Sequence, residues 1–84
     1  MQLYAGLELH STNTYIGILD QELNRIFKKR VANNLELILQ TLYPFGSQLK
    51  GLVVGSTYNW YWLIDGLMDN GYQYLHLANP SAIK

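Results

Sequence analysis

The sequence has no cysteine, which removes disulfide scaffolds, thiolate zinc sites and cysteine nucleophiles at once. Charge is scarce as well: six basic and six acidic residues cancel, and charged side chains make up 14% of the chain. A neutral chain neither attracts nor repels nucleic acid as a whole, so the charge balance gives no sign of a polyanionic partner. No stretch reaches the roughly 18 apolar residues of a membrane helix. Met1-Gln2-Leu3-Tyr4 lacks the basic n-region and apolar run of a signal peptide. The expectation is a cytoplasmic protein with no membrane partner. There is also no Gly-rich phosphate loop, nucleophile elbow or catalytic triad.

What the sequence does have is apolar side chains, 49% of the total, which excludes disorder and calls for a packed interior. Its 84 residues give room for one domain at most, because domains cluster around roughly 100 to 150 residues. Folding of a domain this small is worth about 4 to 12 kcal/mol at the usual per-residue figure. So few charges leave apolar surface that expects a partner, either more chain or a second subunit.

The apolar pattern changes period along the chain. Leu3, Ala5, Leu7 and Leu9 alternate with Tyr4, Gly6, Glu8 and His10, the period of two of a strand. A polar turn, His10 to Asn13, leads to a second strand over Thr14–Leu19, and the connection Asp20 to Asn24 leads to a third over Arg25–Val31. Short loops imply an antiparallel meander. Leu35, Ile38, Leu39 and Leu42 then fall on one helical stripe. Asn33 and Glu36 are spaced as a capping box, and Pro44 is the expected stop.

Gly51–Gly55 reads as a central strand covered on both faces. Ser56 or Thr57 is the expected cap of a second helix whose stripe is Trp60, Leu63, Ile64, Leu67 and Met68, with Tyr61, Asp65 and Asp69 opposite and a stop at Asn70-Gly71. Tyr72–Ala78 completes the pattern as a last strand, closed by Asn79-Pro80. The order β-β-β-α-β-α-β predicts an α/β fold with a mixed sheet, three antiparallel strands followed by parallel ones joined through a right-handed crossover.

Several residues have both a chemical and a plain reading. Glu8 is the acid of the first strand; it is either a carboxylate ligand for Mg²⁺, a hard cation that takes oxygen donors, or a strand-end acid in water. His10 and His76 lie on different strands without a zinc spacing. Lys28-Lys29-Arg30 either touches phosphates or guards an exposed sheet edge. In the aromatic cluster Tyr58, Trp60, Tyr61 and Trp62, the stripe places Trp60 in the core and leaves Tyr61 and Trp62 at the surface, where aromatics can stack on unpaired bases. Asp65 and Asp69 share one helix face, available to a metal or simply solvated.

Tyr4-Ala5-Gly6-Leu7-Glu8-Leu9-His10-Ser11, Gly51 to Trp62 with its Thr-Tyr-Asn-Trp-Tyr-Trp run, and Leu77-Ala78-Asn79-Pro80 together resemble the N-terminal part of the DEDD transposases of the insertion sequence 110 family. These are mobile-element recombinases with an RNase H-like domain similar to Holliday-junction resolvases. The likeness runs over essentially the whole chain, which it identifies as a single, incomplete RNase H-like domain. It implies a Mg²⁺ site of four acids, with DNA and a guide RNA as partners. The first acid belongs within a Gly-Leu-Asp-Leu-His motif, where this chain has Glu8, and the second just before Ser56-Thr57, where it has Gly55. The last two acids and a serine-bearing domain belong beyond Lys84.

The leading expectation is therefore a truncated or degenerate transposase, for DNA transposition and recombination by resemblance, with its site reduced to Glu8 and with no Mg²⁺ bound. A rival from another class is a non-catalytic interaction module that pairs with itself as a homo-oligomer or with a full-length transposase. The front of an actin-like ATPase shares this topology, but it needs a glycine in the first turn, and His10-Ser11-Thr12-Asn13 has none.

Overall fold

The computed structural model describes residues 2–56, 60–72 and 75–78, the last four and Ser56 for their backbone. Strands β1 (Leu3–Leu9), β2 (Asn13–Asp20) and β3 (Arg25–Ala32) are followed by helix α1 (Leu35–Leu42) and a 3-10 helix (Tyr43–Gln48). Strand β4 (Leu49–Ser56), helix α2 (Tyr61–Asp69) and strand β5 (Leu75–Ala78) complete the order. The five strands form one sheet in the order β3-β2-β1-β4-β5. β1 pairs antiparallel with β2 and parallel with β4, β2 pairs antiparallel with β3, and β4 pairs parallel with β5. This is the mixed sheet that the periodicity predicts.

Alternation decides which face of the sheet is covered. Leu3, Ala5 and Leu7 of β1, Ile16 and Ile18 of β2, and Leu52 and Val54 of β4 join Ile38 and Leu42 of α1 and Leu63 and Leu67 of α2 in one buried cluster. Both helices thus lie on the same face. No helix among the described residues is long and apolar enough to cross a membrane.

Several local expectations are corrected. The cap of α1 is Asn34, whose side chain accepts from the Leu37 backbone N–H, while Asn33 takes a long-range role. With Asn34 as cap, the third helical residue is Leu37 rather than Glu36, so no capping box forms. The α-helix itself ends at Leu42, ahead of Pro44 as expected, and the chain winds on as the 3-10 helix with Pro44 in its first turn, where a missing N–H costs nothing. The cap of α2 is Trp60, without a side-chain hydrogen bond; Ser56 belongs to β4, and Thr57 lies outside the described residues.

The buried residues of α2 are Leu63, Gly66 and Leu67, Trp62 packs against the core, and Met68 is exposed. Trp60 is only partly buried and sets its ring against that of Tyr61 at 4.2 Å. The helix is therefore rotated from the expected stripe, with a glycine on its inner face. Tyr72 precedes β5 rather than starting it. The Tyr72 N–H donates to the Leu67 carbonyl and that of Gly71 (φ +89°) to Met68, the paired bonds of a Schellman stop. Asn79-Pro80 and Tyr58 fall outside the described residues.

The turn between β2 and β3 is organised by Asp20. Its Oδ1 accepts from the backbone N–H groups of Glu22 and Asn24, both at 2.9 Å, and its Oδ2 accepts from the Asn24 amide. The Asn24 N–H, ahead of the other donors, holds the Asp20 carboxyl below its ordinary pKa of 3.8. A carboxylate with a lowered folded pKa stabilises the fold above its unfolded pKa and loses that contribution as pH falls through the folded value. Asp20→Asn keeps an acceptor oxygen and removes the charge. Chemical denaturation from pH 7 down to about pH 2 will show the stability difference between wild type and Asp20→Asn shrinking on acidification, and a constant difference would refute this.

Within the same turn Leu23 has φ +67° and is 74% exposed. A left-handed leucine costs roughly 1 to 2 kcal/mol relative to glycine, partly offset by glycine's greater entropy when unfolded. Leu23→Gly is therefore expected to raise the unfolding free energy by about 0.5 kcal/mol, read as a higher urea midpoint at constant slope.

Candidate functional site

The face of the sheet away from the helices has a regular composition. Register puts Gly55 of β4, Glu8 of β1, Tyr15 of β2 and Arg30 of β3 in one row across four strands. The next row is Val53, Gly6, Gly17 and Lys28, and the third is Gly51, Tyr4, Leu19 and Arg25. Each row ends on β3 in a cation. The register shift between Ile18 and Leu19 brings Arg25 and Lys28, an odd number of residues apart, to the same face. A depression of about 260 Å³ lies over these rows, lined by Gly6, Glu8, Tyr15, Gly17, Arg25 and Lys28 among others.

Glu8 and Gly55, the two positions singled out by family resemblance, are therefore register partners on adjacent parallel strands. The Glu8 carboxylate lies 3.1 Å from His10 Nε2, and the His10 ring packs 4.8 Å from Tyr15. Glu8, His10 and Tyr15 form a small polar and aromatic cluster where β1 ends and β2 begins. The cluster is tied to the rest of the fold through Asn33, whose side chain accepts from the buried Thr14 hydroxyl at 2.7 Å and donates to the His10 carbonyl at 2.7 Å.

A Mg²⁺ ion prefers near-octahedral oxygen coordination, usually with carboxylates in the set. Glu8 offers one carboxylate, already paired with His10, and Gly55 offers none. Asp65 and Asp69 are exposed on α2, in the helical layer. Among the described residues no three of His, Cys, Asp or Glu come together as a metal-binding group. The residues described do not fit a divalent-metal centre.

Lys28-Lys29-Arg30 is split by the strand. Lys28 and Arg30 belong to the open face, whereas Lys29 lines a small hollow beside Leu37 and Thr41 of α1. β3 is the edge strand, as the run suggests. His76 is in register with Val53 on β5, away from His10. The sequence reading did not single out Tyr4 or Tyr15, exposed by 37% and 42%; alternation alone marks both as outward-facing.

No protein-family model and no curated protein matches the chain. Among solved structures, Thermus thermophilus RuvC in complex with a Holliday junction substrate superposes with a TM-score of 0.70 at 11% identity, covering 96% of this chain and 66% of that one. The fold is RNase H-like. A second structure, the type II variant of the Aquifex aeolicus Ppx/GppA phosphatase, has a TM-score of 0.47 at 11% identity over 95% of this chain and 36% of its own. The chain thus spans just under two thirds of the RuvC chain. Identity this low leaves the RNase H-like architecture as the shared property.

Proposed function

We propose that the chain is a degenerate RNase H-like module of the DEDD transposase and recombinase type, with DNA as its partner and without a working cleavage centre. The observation that carries this reading is the register pair Glu8 and Gly55. In the family that the sequence resembles, these two positions hold an aspartate and a glutamate of the Mg²⁺ site.

Each departure has a physical cost. Glu8 is one methylene longer than aspartate and displaces the carboxylate by about 1 Å, whereas catalytic constellations tolerate roughly 0.5 Å. A displacement of about 1 Å costs on the order of a hundredfold in rate. Gly55 is the heavier loss, because no side chain remains there to orient an ion against a phosphodiester.

The expected result is that the purified chain does not nick supercoiled plasmid or a four-way junction in the presence of Mg²⁺ or Mn²⁺, and that Glu8→Gln changes nothing. Metal-dependent nicking that disappears in Glu8→Gln would falsify the proposal.

A further inference from the structure

Gly6 and Gly17 face each other at the centre of the open face, in the middle of two neighbouring strands. Neither has a positive φ, and among the described residues a Cβ built on either meets nothing within 4 Å. Packing and backbone conformation among the described residues therefore give no reason for glycine at either position. Glycine weakens a strand interior, and where it persists it often marks the close approach of a ligand or another backbone.

What flanks this gap limits what can enter it. Tyr15 lies toward one end and Tyr4 toward the other, about 14 Å apart given strand rise and spacing. Arg25, Lys28 and Arg30 run along one side. The one acid in the three rows is Glu8, already paired with His10, and the nearby Asp20 is engaged by its own turn. A second copy docked through this face would bury three cations against rows whose one acid, Glu8, is already paired, which is costly without partners. An anionic chain with flat, stackable groups meets both the cations and the tyrosines.

From this juxtaposition we infer that the open sheet face binds single-stranded nucleic acid, its backbone passing over Gly6 and Gly17 beside the β3 cations and its bases stacking on Tyr4 and Tyr15. Duplex DNA hides its bases and offers them no face, whereas single strands are held by positively charged grooves and aromatic platforms. The inference rests on the proposed function only for the class of partner, and it needs no metal.

The test is fluorescence anisotropy of the full chain with a labelled strand of about 12 nucleotides, within the site sizes of single-strand binders, and with the same sequence as a duplex, in EDTA across a range of salt. The single strand is expected to bind more tightly than the duplex. Tyr4→Ala and Tyr15→Ala will each weaken it about fivefold or more, the lower end of the usual stacking contribution, while Tyr15→Phe keeps its affinity. Lys28→Gln and Arg30→Gln will each lower the salt slope by about 0.7.

Gly17→Val separates binding from folding: a Cβ there meets no described atom within 4 Å, so thermal stability is expected to be kept or raised, yet the side chain fills the path of the strand and weakens binding at least about fivefold. Equal or tighter binding of duplex, no binding at low salt, or affinity indifferent to both tyrosines and to Gly17→Val overturns the inference. So does sedimentation showing a dimer that Tyr15→Ala dissociates. Because EDTA is present throughout, these failures are distinct from that of the nicking experiment.

Discussion

Leu7→Ala will lower the unfolding free energy by about 3 kcal/mol, within the usual range for a buried leucine cut to alanine. Leu7 is fully buried on the central strand, with Ile16 in register on one side and Val54 on the other, themselves 1% and 0% exposed. Strand atoms on both sides are fixed by sheet hydrogen bonds, so the space left behind cannot close by a simple side-chain shift, and the cavity adds to the lost transfer energy. Against an expected total of roughly 4 to 12 kcal/mol, this is a quarter or more of the stability. Urea denaturation measures it as a lower midpoint at unchanged slope. Leu37→Ala is the control: Leu37 is 41% exposed on α1, and its loss should stay within about 0.5 kcal/mol. Equal losses at the two positions would mean that the helices do not cover the Leu7 face.

The strands were legible because one face of the sheet is buried and the other is not, which prints a period of two on Leu3 to Leu9. The helix cap was misplaced by one residue for a reason no local pattern contains. Asn33 and Asn34 are equally suited to capping, and the choice between them is made by Thr14 and the His10 carbonyl, 19 and 23 residues away. The rotation of α2 has a similar origin. An apolar stripe is read from large side chains, so Gly66, which faces inward because it lacks one, is invisible to that reading.

The site divides in the same way. Placing Glu8 beside Gly55 requires a parallel β1–β4 pair, which strand-helix-strand spacing implies and family resemblance points to. The three cation-ended rows require the register shift between Ile18 and Leu19. Without it Arg25 and Lys28 would point to opposite faces, and a basic run reads as an edge guard rather than as one side of a surface.

Gly66→Val is the sharpest test of how the two helices meet. A Cβ at Gly66 would lie 2.6 Å from Leu35 Cδ1 and 3.0 Å from Leu35 Cγ. Real Cβ atoms do not approach so closely, so Leu35 must move. Leu35 is the first residue of α1 and packs against the core, so moving it disturbs the seam where α1 and α2 touch. Valine has a somewhat better helix propensity than glycine, and on local grounds alone the substitution is stabilising. Overpacking reverses the sign, with an expected net loss of about 2 kcal/mol. Leu35→Ala clears the space and by itself also costs stability, through lost burial. In the double variant the two losses should fall short of their sum by about 1 kcal/mol or more, because each change relieves what the other causes. Simple additivity would place Leu35 away from Gly66 and dissolve the contact that orients α2, and with it the placement of Leu63 and Leu67 beneath the central strands.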